Sequence, residues 1–131
     1  MIKLRYFFYI LIFSAFNTIA YAETLTLVCN LEKRKGDVTF VLDLNKKVIS
    51  NSTGRVWADL TIKEESYSWR ARPSILDEIN IGYRKKGIPI IITDWATVVD
   101  KKSGAFQDWH DHADGNTNTG RGKCRQAKNK F

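Results

Sequence analysis

Both histidines of the chain and three of its aspartates fall between Asp108 and Asp114, in the run DWHDHADGN at residues 108–116. Imidazole and carboxylate groups are ligands for zinc and other divalent metals. His110 and His112 stand two apart, so on an extended segment both point to one face and can reach one ion. Asp114 completes the metal-ligating set, with Asp111 as its substitute, and a metal-dependent hydrolase is the enzymatic activity such a set would support. A metal site also needs an anchored third ligand and outer partners that orient the first ones, which spacing alone does not supply. A calcium loop is out of register. With Gly115 in the sixth position of an EF-hand loop, Arg121 takes the twelfth, where Glu belongs. A solvated 110–120 loop, in which Asp and Asn satisfy turns, is therefore the favoured expectation, and a divalent-metal cofactor the alternative.

Other chemistry is poorly served. There is no G-x-S-x-G elbow to expose a nucleophilic serine. Glu64-Glu65 and Asp77-Glu78 are adjacent residues, which read as charged edges and not as a glycosidase carboxylate pair. Gly120-Arg121-Gly122-Lys123 is too short for a phosphate cradle, and no strand-to-helix context follows it. No catalytic residue is assigned. The four tryptophans are Trp57, Trp69, Trp95 and Trp109. Filling a small β core is their first expected use. A ligand-stacking surface made by Trp57, Trp95 and Trp109 is the second, because Trp57 alternates with Val56, Ala58 and Leu60, and Trp95 falls out of phase with Ile90 and Ile92.

The elements that must position these residues are strands. Period-2 alternation runs through Leu25–Leu31, Val38–Leu44, Val56–Ile62 and Tyr67–Ala71. Turn chemistry separates them at Lys33–Asp37, Asn45–Lys47 and Asn51–Gly54. Beyond Pro73, the stretch Asp77–Tyr83 again alternates, with at most a helical turn near Pro73–Glu78. Ile90–Val99 is the most apolar run and the expected central strand, and Asp100–Gly104 is a hairpin turn into Ala105–Trp109. A last strand carries Gly122–Ala127. The fold class expected is all-β, an antiparallel meander of about 8–9 short strands forming a small barrel or sandwich.

Compartment is legible at the N-terminus. Lys3 and Arg5 precede the apolar run Tyr6–Phe16, and Ala20-Tyr21-Ala22 supplies a small-x-small cleavage pattern. The uncharged stretch is shorter than the roughly 20 residues that span a bilayer. Met1–Ala22 is thus expected to be a cleaved signal peptide, leaving residues 23–131 as one β domain, periplasmic or secreted, with no transmembrane anchor. Two cysteines remain in that domain, Cys29 and Cys124, and in an oxidising compartment they are expected to pair. Closing so long a loop is worth about 4–5 kcal/mol by the chain-entropy model. Pairing also removes thiol chemistry from consideration.

The order of features resembles a loose set of small exported bacterial β-rich proteins of unknown function. The residues that carry the resemblance are the early Cys29, Phe40-Val41-Leu42-Asp43, Lys47-Val48, a Trp-bearing strand, Ser103-Gly104 and the late Gly122-Lys123-Cys124 before the terminal Phe131. The resemblance implies an exported, disulfide-linked β domain with no activity to transfer.

The formal net charge is +7, spread over small groups such as Lys33-Arg34-Lys35, Lys46-Lys47, Arg84-Lys85-Lys86 and Lys101-Lys102. Solvated turn tips account for most of it. What is left suits weak attraction to an anionic protein, glycan or lipid of the cell envelope. Nucleic acid is not an expected partner of an exported protein. The leading expectation is a non-enzymatic binding or interaction module, such as an inhibitor, an immunity-type protein or an envelope ligand binder.

Overall fold

The computed structural model describes residues 23–51 and 53–127, so the signal sequence expected at residues 1–22 lies outside the described residues. Eight antiparallel strands close into one barrel in simple up-and-down order. They are β1 (Thr24–Leu31), β2 (Asp37–Asp43), β3 (Val48–Ser50), β4 (Val56–Ile62), β5 (Ser66–Ala71), β6 (Ile92–Asp100), β7 (Ala105–His112) and β8 (Thr117–Gln126). Of the two architectures left open by alternation, barrel and sandwich, the chain adopts the barrel. β1 pairs with β2 on one side and with β8 on the other, so among the described residues no edge strand is left exposed.

Cys29 and Cys124 face each other directly in the β1–β8 register and form the disulfide, with Cα atoms 3.9 Å apart. The bridge therefore spans the seam at which the first and last strands meet. The β6–β7 hairpin supports that seam from one end. Asp100 accepts from the Lys102 N–H and the Ser103 hydroxyl, which holds its carboxyl below its usual range. Gly104 follows at φ 74°, and a Cβ there would lie 2.2 Å from the Cys124 carbonyl oxygen. Only glycine meets both demands.

Between β5 and β6 lies a helix, α1 (Pro73–Lys85). Alternation predicts a strand over Asp77–Tyr83 with at most a helical turn near Pro73–Glu78, and the helix replaces both. Ile75, Leu76, Ile79 and Tyr83 pack on one cluster. Their spacing, i, i+1, i+4 and i+8, is that of one helix face. The alternation of Ile79, Ile81 and Tyr83 was a coincidence of composition, for Ile81 is exposed on the other side. Pro73 begins the helix, where its missing N–H costs nothing, and Arg84 and Lys85 sit in the last turn, favourable to the dipole. Asn80 clamps α1 to the start of β6, donating to the Ile92 carbonyl at 2.9 Å and accepting from the Ile92 N–H at 2.8 Å.

The interior divides into two apolar clusters. The larger holds Leu27, Phe40, Leu42, Ile49, Leu60, Trp69, Val99 and Phe106 around the disulfide. The smaller joins Ala71, Leu76 and Ile92 to the inner face of α1. Trp57 packs on both. The β3–β4 register shifts beside Ile49 and Ser50, so that Ser50 opposes Val56 and Ile49 opposes Ala58. Trp57 is the extra residue of that bulge, and its ring packs on both clusters.

Candidate functional site

A cavity of about 320 Å³ lies where the two clusters meet. The larger cluster contributes Phe40 and Phe106 to its wall, and the smaller contributes Trp57, Ile75 and Trp95. It opens between the β1–β2 turn, the β3–β4 turn and α1, where Arg34, Arg55 and Glu78 form part of the rim. Arg55 and Glu78 pair across that rim and tie the β3–β4 turn to the helix. The pair raises the Arg55 pKa and lowers that of Glu78.

The rings around the cavity touch in sequence. Phe40 stacks on Phe106 with centroids 6.0 Å apart, and it meets Trp57 at 6.0 Å. Trp57 meets Trp95 at 5.9 Å, and Trp95 meets the His110 imidazole at 4.2 Å. Offset and tilted contacts at these separations suit the ring quadrupoles.

Two polar side chains, Thr97 and Asp108, are buried in this wall. Asp108 is 7% exposed. Its Oδ2 accepts from Trp95 Nε1 at 3.1 Å and lies 3.1 Å from His110 Nε2. The Gly120 N–H is a third donor. Burial pushes the Asp108 carboxyl upward. The hydrogen bond and charge of His110, with the Trp95 and Gly120 N–H groups, outweigh it and hold the carboxyl below its usual range. Gly120 faces Asp108 across the β7–β8 ladder, and a Cβ there would fall 2.2 Å from Asp108 Oδ1. The glycine makes the space that the carboxylate occupies.

The residues singled out for metal chemistry part company here. Residues 110–120, expected to be a loop, are the end of β7 and the start of β8 joined by a tight turn, and the loop reading is corrected. The β7–β8 pairing runs down to Asp111 and Thr117, and the His112 N–H bonds to the Asn116 carbonyl at 2.9 Å. The alternation of Asp108, His110 and His112 continues that of Phe106, so backbone hydrogen bonding across the ladder captures a segment whose composition reads as a turn. His110 joins Asp108 and Trp95. His112 closes β7, and Asp114 caps the turn, accepting from the Asn116 N–H at 2.9 Å. Asp111 accepts from the Thr117 hydroxyl at 2.9 Å. Among the described residues, no group of three His, Cys, Asp or Glu side chains is placed to hold a metal ion.

The proposed aromatic surface also divides. Trp57 and Trp95 line the cavity, whereas Trp109 lies with Asp59, Arg70, Arg72 and Asp94 in a second, more polar and larger pocket of about 880 Å³. Phe40, Thr97, Phe106, Asp108 and Gly120 were not assigned to a site from sequence. One signal was available. Asp108 falls in phase with the apolar Phe106 on the same strand, which points its carboxylate to the side of a core residue, and buried polar groups need partners. No family model matches this chain, and no curated protein or solved structure matches it significantly.

Proposed function

We propose that this is an exported, non-enzymatic ligand-binding protein of the bacterial envelope, periplasmic or secreted, whose barrel mouth holds a small organic molecule. The observation that carries this reading is the cavity itself, open at one end and walled by Phe40, Trp57, Trp95 and Phe106. Ligand sites are concave and mostly apolar, with a few placed polar groups, and run from about 300 to 1,000 Å³. A dry engineered cavity of about 150 Å³ takes benzene. The volume here, near 320 Å³, suits a phenylalkyl or bicyclic body. The Cys29–Cys124 disulfide supports an oxidising compartment, and the Lys3–Ala22 pattern supports export.

Two experiments test the reading. N-terminal sequencing of protein recovered from the producing cell should begin at Glu23, and an intact N-terminus would refute export by cleavage. For the site, toluene, 2-phenylethanol and 2-phenylethylamine are added in thermal unfolding measurements. At least one should raise the midpoint in a saturable way, since a ligand at 100 times its Kd stabilises by about 2.7 kcal/mol. Ile75→Trp, which fills the mouth, should abolish the shift. Stabilisation that persists in the blocked variant would place binding elsewhere.

A further inference from the structure

We propose that the cavity selects an organic cation, its ammonium group seated against Asp108 and its apolar body against the rings of Phe40, Trp57, Trp95 and Phe106. The inference rests on the cavity being a ligand site and names the class of ligand it takes.

The argument is one of charge in a desolvated place. Asp108 lines the cavity and is almost fully buried. Its partners are an indole N–H, a backbone N–H and His110, and its pair with His110 is ionic only when the imidazole is protonated. Burial opposes ionisation, but these contacts, the hydrogen bond and charge of His110 foremost, outweigh it and hold the carboxyl below its usual range. Trp95 and His110 both act on Oδ2. A carboxylate has about four acceptor directions, so three donors leave capacity for another.

The walls point the same way. Ring faces carry negative electrostatic potential, and a cation within about 6 Å of a ring centroid is attracted by it, more strongly when desolvated. Phe40, Trp57 and Trp95 form a chain of rings about 6 Å apart on one side of the cavity. A carboxylate beside such rings discriminates sharply by charge. A fatty acid or phosphate ester would bury a second negative charge near the first, which is costly without pairing. A neutral alcohol would gain the apolar contact and one hydrogen bond, without the ionic attraction. The two cations at the rim do not reverse this. Arg55 is paired with Glu78, and Arg34 stands on the exposed β1–β2 turn.

The test compares three molecules of nearly one shape at pH 7 by calorimetry with purified protein, namely 2-phenylethylamine, 2-phenylethanol and phenylacetate. The amine should bind at least 10-fold more tightly than the alcohol, and phenylacetate most weakly. Asp108→Asn should reduce the amine to the level of the alcohol while alcohol binding persists. Equal affinity for amine and alcohol, or preference for phenylacetate, would overturn the cation inference and leave the cavity standing as a ligand site. Binding of none of the three would overturn both. If Asp108→Asn does not fold, the ranking on the wild-type protein still decides the matter.

Discussion

Two tryptophans of one barrel meet opposite conditions. Trp69 is buried in the larger cluster, 5.1 Å from Phe40, and its indole nitrogen is buried with no hydrogen-bond partner. Trp95 belongs to the smaller cluster, lines the cavity, and donates its indole N–H to a buried carboxylate. The first region is packed and apolar around a disulfide. The second is hollow, walled by rings, and holds a charge. Close packing maximises dispersion and leaves nothing for a ligand to gain. A cavity forgoes those contacts, and a ligand can restore them. The difference suggests that stability resides in the larger cluster and recognition at its boundary with the smaller.

The largest expected effect is at the disulfide. Cys29→Ser with Cys124→Ser should lower stability by about 4–5 kcal/mol in urea unfolding, since the bridge closes a separation of 95 residues. Next is Leu42→Ala, at a position with no exposed surface, expected to cost about 2–5 kcal/mol by the same measurement. Ile75→Ala, at the half-buried cavity wall, should cost much less, because its site is already partly open. Equal losses at Leu42 and Ile75 would erase the distinction between the regions.

Gly120→Ala forces a methyl into the space of Asp108 Oδ1 and should cost about 1–3 kcal/mol, a typical overpacking penalty. It should also alter the near-ultraviolet circular dichroism of Trp95, because the displaced carboxylate loses its indole donor.

The acid limb supplies a gentler comparison. The folded pKa of Asp108 lies below its ordinary value, so its ionisation stabilises the fold above the unfolded carboxylate pKa, about 3.9, and that contribution disappears as pH falls through the folded pKa. Wild-type stability should therefore fall more steeply below pH 4 than that of Asp108→Asn. Parallel curves would show that the carboxylate is not anchored as described. Smallest is the rim. Arg55→Ala removes an exposed pair and should leave unfolding unchanged, while ligand exchange, followed by stopped flow, becomes faster.

Much of the larger cluster was legible in the sequence. Leu27, Leu42, Leu60 and Val99 lie on alternating strands, and the two cysteines fall in the first and last of them. Alternation is a local signal, and it holds where one face is buried. Where a segment satisfies two periods, it fails. Ile79 and Tyr83 fit both a strand and a helix face, and what decides between them is the apolar surface of Ala71 and Ile92 waiting beneath. The site was legible only in fragments. The sequence marks His110 as a ligand and Trp57 and Trp95 as stacking rings, but their meeting with Asp108 depends on the β3–β4 bulge, the β6–β7 register and a glycine on a third strand. None of these is encoded by nearest neighbours. The Asp- and Asn-rich run likewise suggested a loop, because composition does not report which partner strand a segment will find.

The central claim, that recognition belongs to the hollow boundary and not to the packed core or the outer face, is tested most directly by the indole N–H resonances in a ¹⁵N-labelled sample titrated with 2-phenylethylamine. The signals of Trp57 and Trp95 should move together along one saturating curve, while those of Trp69 and Trp109 stay in place. A shift confined to Trp109, or no shift at any indole up to saturating amine, would contradict the account.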